Sequence, residues 1–167
     1  MGIFSRLLGR ASPAEVQGAR LEDRHPWVVP STRDAAGFLR ALPALFPDGG
    51  FVYFEDTTER LFASWAQGHA VESPLTIASG TIWPRPDWFH IPLDSSLLEQ
   101  AATLIERQRI VLPSIHVHVH NGITVLLEWH DAFVNEPIYI TSEIPRERVY
   151  AFANHLQVAP VTREGAL

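Results

Sequence analysis

Three histidines alternate with two valines in the run His116-Val117-His118-Val119-His120. Alternate residues of a β-strand share one face, with Cα atoms roughly 6.6 Å apart. Two neighbouring imidazoles at this spacing can share one metal ion, whereas the outer two rings lie about twice as far apart. The pattern makes His116, His118 and His120 candidate ligands of zinc or another divalent transition metal, with one adjacent pair at a single ion.

A third ligand of such an ion has to come from another part of the chain, because no HExxH motif or comparable spacing is present. His90, Asp87 and Glu55 are the candidates. The alternative is that the imidazoles pack on a half-exposed sheet face and bind no metal.

A second group of titratable residues follows the histidines, namely Glu128, His130 and Asp131. A carboxylate beside His130 can orient the imidazole as a general base. No GxSxG elbow, P-loop or dinucleotide-binding glycine pattern accompanies the group. Catalysis is therefore the weaker interpretation, and a packed strand end followed by a turn-forming aspartate is the alternative.

The proline-rich segment from Trp83 to Trp88 combines two large aromatic rings with charges of both signs. Rigid aromatic side chains and charged groups on a restrained loop are typical of recognition surfaces. We take Trp83, Arg85, Asp87 and Trp88 as a candidate protein-binding site. The alternative is that the two tryptophans close one end of the core.

A β-hairpin is the element that would hold the histidines. Asn121-Gly122 favours a two-residue turn with positive φ angles between two apolar runs. With these two residues as the loop, His118 faces Val125 and His120 faces Ile123 across the hairpin. This register places Glu128 and His130 on the opposite face, together with Val117 and Val119.

The remaining pattern predicts helices that alternate with short strands. Amphipathic periodicity indicates four helices. The first has Ser31 or Thr32 as its cap and is ended or kinked by Pro43, and the second has a threonine as its cap and ends at Gly68. The third has Asp94 or Ser95 as its cap, and the fourth has Pro145 as its first residue. The run 51–54 is apolar on both faces, as in a central strand. The order favours an α+β fold, a two-layer sandwich of a mainly antiparallel sheet of about five strands with helices on one face.

The chain of 167 residues suits one domain. We expect an N-terminal extension and linker over 1–30, a globular domain over 31–158 and a tail over 159–167. Met1 to Arg10 is also compatible with a short amphipathic helix at a membrane surface, although a frayed terminus is the simpler interpretation. Brief strands are expected in 75–83.

The net charge of −6 and the scattered cations argue against nucleic acid as a partner. No apolar run approaches the roughly 20 residues of an integral membrane helix. The absence of cysteine excludes disulfides and thiolate ligands and is compatible with a cytoplasmic location.

Two functions remain as hypotheses. The first is a small acidic, non-enzymatic protein-binding module, for example an immunity-type antagonist of a basic protein partner, which needs no cofactor. The alternative is a metal-binding protein or a metal-dependent hydrolase that uses the histidine strand.

Overall fold

The structure, a computed structural model, describes residues 18–73, 75–77 and 87–163 of the chain. Seven strands and four helices follow one another in these residues. They are β1 (Trp27–Val29), α1 (Ala35–Leu45), β2 (Phe51–Glu55), α2 (Arg60–His69), β3 (Trp88–Pro92), α3 (Ser95–Gln108), β4 (His116–Asn121), β5 (Thr124–Trp129), β6 (Ile138–Ile140), α4 (Arg146–His155) and β7 (Thr162–Arg163).

The strands form one antiparallel sheet in the order β3-β2-β4-β5-β6-β1-β7. This confirms the predicted α+β class, although the sheet has seven strands instead of about five. The two extra strands, β1 and β7, lie within the segments interpreted as linker and tail. The hairpin β4-β5 lies inside the sheet, so the histidine strand has a neighbour on each side.

The helices and one face of the sheet enclose the main apolar core. Phe38 of α1 lies at its centre, where its ring contacts Trp129 at 4.9 Å and Phe152 of α4 at 5.9 Å between centroids. Arg40 links α1 to α3 on the outer side of this layer through ion pairs with Glu99 and Glu106. The helical layer therefore holds the sheet rigid from one side.

Local interactions correct the predicted start and end of α1. Asp34 caps this helix, since its carboxylate accepts a hydrogen bond from the Gly37 amide at 2.8 Å. Thr32, one of the two predicted caps, instead accepts the Asp34 amide through its hydroxyl. Pro43 does not end the helix, which continues to Leu45. A proline within the last turn removes only one hydrogen bond near a helix end.

The other helix starts agree with the sequence in part. Asp94 caps α3 as predicted and accepts the Ser96 and Leu97 amides. Glu59, and not a threonine, is the N-cap residue of α2, and this helix ends one residue beyond Gly68. Pro145 is the N-cap residue of α4 instead of its first helical residue.

Two predicted segments lie wholly or partly outside the described residues. One is the stretch from Met1 to Arg10, interpreted as a frayed terminus with a short amphipathic helix as the alternative, and the other is most of the strands expected in 75–83. Within that second segment, Ile77 forms a single parallel bridge with Ala19. Among the helices of the described ranges, none has the length and apolar character needed to cross a membrane.

The outer edge of the sheet at β3 is partly engaged by the chain that follows α2. The Val71 amide donates a hydrogen bond to the His90 carbonyl at 2.9 Å. A backbone group on the free side of this edge strand therefore already has a partner.

Gly50 brings β2 close to the histidine strand. Its φ angle is +129°, and a Cβ atom at this position would lie 2.5 Å from the His120 carbonyl oxygen. The neighbouring Gly49 also has a positive φ angle, of +79°, but a Cβ atom there would meet nothing within 4 Å. Glycine is therefore required at position 50 both by the backbone conformation and by the close approach of the His120 carbonyl oxygen.

We expect Gly50→Ala to lower the free energy of unfolding by about 2–4 kcal/mol, because backbone strain and the clash with His120 act together. Gly49→Ala is the matched control and should cost about 1 kcal/mol, since it carries only the strain. Urea denaturation of both variants measures the difference. Equal losses would contradict the close approach.

Candidate metal centre

The loop of the central hairpin lies one residue later than the sequence suggested. Asn121 pairs with Thr124, so the loop residues are Gly122 and Ile123, and Gly122 has the positive φ angle of +55°. Asn121 is instead the last residue of β4. His120 accordingly faces Val125 and not Ile123.

A β-bulge changes the register further along the hairpin. His120 pairs with Val125, but Val119 pairs with Leu127, so Leu126 is an extra residue in β5. An extra residue reverses which face each following side chain occupies. His118 therefore pairs with Glu128, and the prediction that Glu128 lies on the opposite face is wrong.

The bulge gathers titratable side chains on the side of the sheet that faces away from the helices, which we call the histidine face. Tyr53 pairs with His90 on one side and with His118 on the other, and Glu55 pairs with His116. The histidine face carries Tyr53, Glu55, His90, His116, His118, His120, Glu128 and His130.

Two irregular segments cover part of this face, residues 18–23, which we call the strap, and residues 75–77. They are joined by a hydrogen bond from the Ala19 amide to the Thr76 carbonyl at 2.8 Å. Leu75 and Ile77 form a small apolar cluster with Tyr53 and Val125. The histidines are therefore mostly buried, and the sequence did not predict this cover.

His118, Glu128 and His130 form the group with metal-ligand geometry among the described residues. One ligand atom from each lies within 4.8 Å of the others. The His130 and His118 rings are 5.2 Å apart between centroids. Atoms bound to one zinc ion lie roughly 3.3 Å apart in tetrahedral geometry, so small side-chain rotations would bring the three onto an ion.

His118 is the most deeply placed of the three, with 1% of its surface exposed. Within the described residues its Nδ1 atom is buried and has no hydrogen-bond partner. Burial lowers the pKa of His118 to about 3, so its imidazole is neutral at physiological pH. A neutral imidazole has the lone pair that a metal ion requires, and a buried ring nitrogen without a partner carries an energetic cost that an ion or a water would relieve.

Glu128 and His130 form a hydrogen-bonded pair beside that ring. His130 Nε2 donates a hydrogen bond to Glu128 Oε1 at 2.5 Å, and this bond raises the pKa of His130. Burial acts to raise the pKa of Glu128, but the hydrogen bonds from His130 and from the Leu21 amide lower it to about 2. The carboxylate is therefore ionised. The Glu128 side chain is 18% exposed and the His130 side chain is 39% exposed, so the group opens to solvent on the His130 side.

The other two predicted ligands have different partners. His116 Nδ1 accepts a hydrogen bond from the Asp131 amide. His120 uses both ring nitrogens, because Nδ1 donates to the Gly122 carbonyl and Nε2 lies 2.9 Å from His90 Nδ1. Of the candidate ligands His116, His118 and His120, the structure thus brings only His118 into the three-residue group, and a role for the other two stays a prediction.

The further candidates for a third ligand also lie apart from the group. Glu55 is fully buried and accepts a hydrogen bond from the Tyr53 hydroxyl at 3.1 Å. Burial and the Glu55 carboxylate both raise the pKa of Tyr53, so the phenol remains a donor. His90 bonds to His120, as described above. These residues lie on the histidine face without joining the three ligands.

Glu128 and His130 were missed as ligands, although a signal for their position was present. They alternate with Leu127 and Trp129, both of which are fully buried against the helices. Because Leu127 and Trp129 are apolar and Glu128 and His130 are polar, the first pair is expected to face the core and the second pair the other side of the sheet. This arrangement requires one inserted residue before Leu127. The carboxylate beside His130 that a general base would require is in place, but a catalytic role stays a prediction.

The structure describes two of the four residues of the candidate protein-binding site. Trp83 and Arg85 lie outside the described residues. Asp87 is exposed, and Trp88, with 47% of its surface exposed, pairs with Glu55 at the edge of the sheet. The binding role of these four residues stays a prediction.

Comparison with protein-family models, with curated proteins and with solved structures finds no match to this chain. A function for this chain is therefore inferred from the geometry of the site.

Asp23 fastens the end of the strap to the sheet. Its Oδ2 accepts hydrogen bonds from the Ser142 amide at 2.5 Å and the Thr141 hydroxyl at 3.3 Å, and Oδ1 accepts the His25 amide at 2.9 Å. Burial acts to raise the pKa of Asp23, but these hydrogen bonds outweigh it and lower the pKa to about 2.

A carboxyl group whose pKa is lower in the folded state stabilises the fold above its unfolded pKa, and this contribution disappears as the pH falls through the folded value. Asp23→Asn should therefore lower the free energy of unfolding by about 1 kcal/mol at neutral pH. The difference from the wild type should shrink as the pH falls from about 4 toward 2. Urea denaturation across this pH range measures the difference. A difference that is independent of pH would contradict a stabilising role of the ionised Asp23 carboxylate.

Proposed function

We propose that the protein binds a divalent transition-metal ion, with zinc as the first ion to test, through His118, Glu128 and His130. The observation that carries the proposal is the buried His118 ring, whose Nδ1 atom has no hydrogen-bond partner in the described chain, next to an ionised carboxylate and a second imidazole. Two imidazoles and one carboxylate form a donor set that zinc and its neighbours in the first transition row accept.

Charge supports the same ion class. Glu128 is ionised and His118 is neutral, so neither group has to release a proton when a divalent cation binds, whereas the hydrogen bond to Glu128 raises the pKa of His130 and favours its protonated form. His130 must release its hydrogen bond to Glu128 and turn its lone pair to the ion. His130 Nε2 and Glu128 Oε1 are 2.5 Å apart, so they need to separate by only about 1 Å to reach the spacing of two ligand atoms on one zinc ion.

Three protein ligands leave at least one position of a tetrahedral ion for water. The 39% exposure of the His130 side chain places this position toward solvent. A three-ligand site with an open position is the arrangement of catalytic zinc, in contrast to the closed four-ligand arrangement of structural zinc. The proposal therefore keeps a metal-dependent hydrolase as the class of enzyme to test after binding itself.

Zinc titration of the purified chain by calorimetry should give saturable binding of one ion per chain. His118→Ala, Glu128→Gln and His130→Ala should each weaken binding by more than about 100-fold, since loss of a ligand exceeds the 10–100-fold cost typical of its supporting groups. His155→Ala, which removes an exposed histidine of α4, is the matched control and should leave the affinity unchanged.

Thermal unfolding separates loss of ligand from loss of fold. Zinc at about 100 times its dissociation constant should stabilise the wild type by about 2.7 kcal/mol and the three ligand variants by far less. His116→Ala should keep zinc binding, because His116 is not one of the three ligands. Absence of saturable binding in the wild type, or equal binding in all variants, would refute the proposed site.

A further inference from the structure

The strap contacts the proposed metal site directly. The Leu21 amide donates a hydrogen bond to Glu128 Oε2 at 2.8 Å, while Glu128 Oε1 accepts from His130. Both carboxylate oxygens are therefore held, one by the strap and one by a candidate ligand. Groups that hydrogen-bond a ligating carboxylate fix its orientation and contribute strongly to metal affinity.

Apolar contacts hold the strap against the same part of the sheet. Ala19 and Leu21 pack on the cluster that contains Tyr53 and Val125. The Tyr53 ring in turn contacts the His118 ring, with centroids 5.6 Å apart. The strap is thus connected to two of the three candidate ligands, to Glu128 by a hydrogen bond and to His118 through Tyr53.

Among contacts with the described residues, the two ends of the strap are held unequally. At its C-terminal end Asp23 accepts the three hydrogen bonds described above. Toward its N-terminal end, the described contacts of Ala19 are one hydrogen bond to Thr76 and partial burial against the apolar cluster. A segment with one firm end and one lightly held end opens as a flap hinged at the firm end.

We propose that the strap is a closing element of the metal site, which hinges near Asp23 and positions Glu128 through the Leu21 amide. The proposal rests on the proposed function and adds a regulation of that site. The site binds the ion more tightly when the strap is closed than when it is open, because the Leu21 amide holds Glu128 Oε2 only in the closed state. By thermodynamic linkage, a bound ion must raise the equilibrium constant for closure of the strap by the same factor by which closure raises the affinity for the ion.

The first test changes the amide that orients Glu128. Leu21→Pro removes this donor, whereas Leu21→Ala shortens the side chain and keeps the donor. Calorimetric titration with zinc chloride should give a 10–100-fold weaker affinity for Leu21→Pro, the usual cost of losing a group that supports a ligand. Leu21→Ala keeps the donor and loses only apolar contact, so it should lower the affinity by less than Leu21→Pro, and Glu22→Pro, which controls for a proline in the strap, should stay within about threefold of the wild type.

The second test uses the unmodified chain and measures closure. Trypsin cleaves after Arg20, an exposed residue of the strap, and cleavage requires the backbone there to open. Saturating zinc should slow this cleavage by the factor that Leu21→Pro loses in affinity. Cleavage after Arg109, an exposed residue just after α3 and among the helices on the other side of the sheet, is the internal control and should not change.

The outcomes distinguish the two proposals. If the wild type binds no zinc, the proposed function fails and the strap proposal falls with it. If the wild type binds zinc but neither the Leu21→Pro affinity nor the rate of cleavage after Arg20 changes, the metal site stands and the strap proposal is overturned. Should Leu21→Pro fail to fold, as circular dichroism would show, protection of Arg20 in the wild type decides alone. The linkage would also be overturned if the factor by which zinc slows cleavage after Arg20 differed from the factor by which Leu21→Pro lowers the affinity.

Discussion

One extra residue in β5, Leu126, decides which side chains meet on each face of the central hairpin. With it, Leu127 and Trp129 enter the apolar core, and Glu128 faces His118 on the other side. Without it, a carboxylate would point into a core built from aliphatic and aromatic side chains. Burying an unpaired charge there would cost several kcal/mol, whereas an aliphatic residue at the bulge costs little. The core and the candidate metal site therefore depend on the same local irregularity.

The sequence predicted those parts of the fold that follow from strong local periodicity. The central histidine strand, the buried strand β2 and the Asp94-capped helix α3 all have patterns that a single stretch of chain determines. The bulge was missed because no glycine or proline marks it, and a register shift becomes visible only when both strands are considered together. The strap and the strands β1 and β7 were missed for a related reason, since short irregular segments obtain their structure from tertiary contacts. Of the candidate ligands, His118 was predicted from spacing, but Glu128 and His130 required the register.

The two faces of the sheet use different means to exclude water. Helices cover one face with a large apolar core, while irregular chain covers part of the other over a small apolar cluster and a layer of rings. Burial lowers the pKa of His90 to about 4 and lowers the pKa values of His116 and His120 as well. Most of these rings are therefore uncharged at neutral pH, and the ionised Glu128 carboxylate lies with His130 where solvent can still reach the pair. A buried polar layer of this kind costs stability unless its groups are satisfied, and in proteins such departures from an apolar interior concentrate at functional sites.

The contact between Val71 and the β3 edge bears on how these chains behave at high concentration. An edge strand with all its outward amides and carbonyls unpaired is a template for another chain to add a strand. The Val71 amide already occupies the His90 carbonyl, and an incoming strand would have to displace the segment after α2 to reach it. At the opposite edge, β7 is two residues long and offers little length for pairing. The described part of each margin therefore offers an incoming strand fewer unpaired groups than a long free edge would.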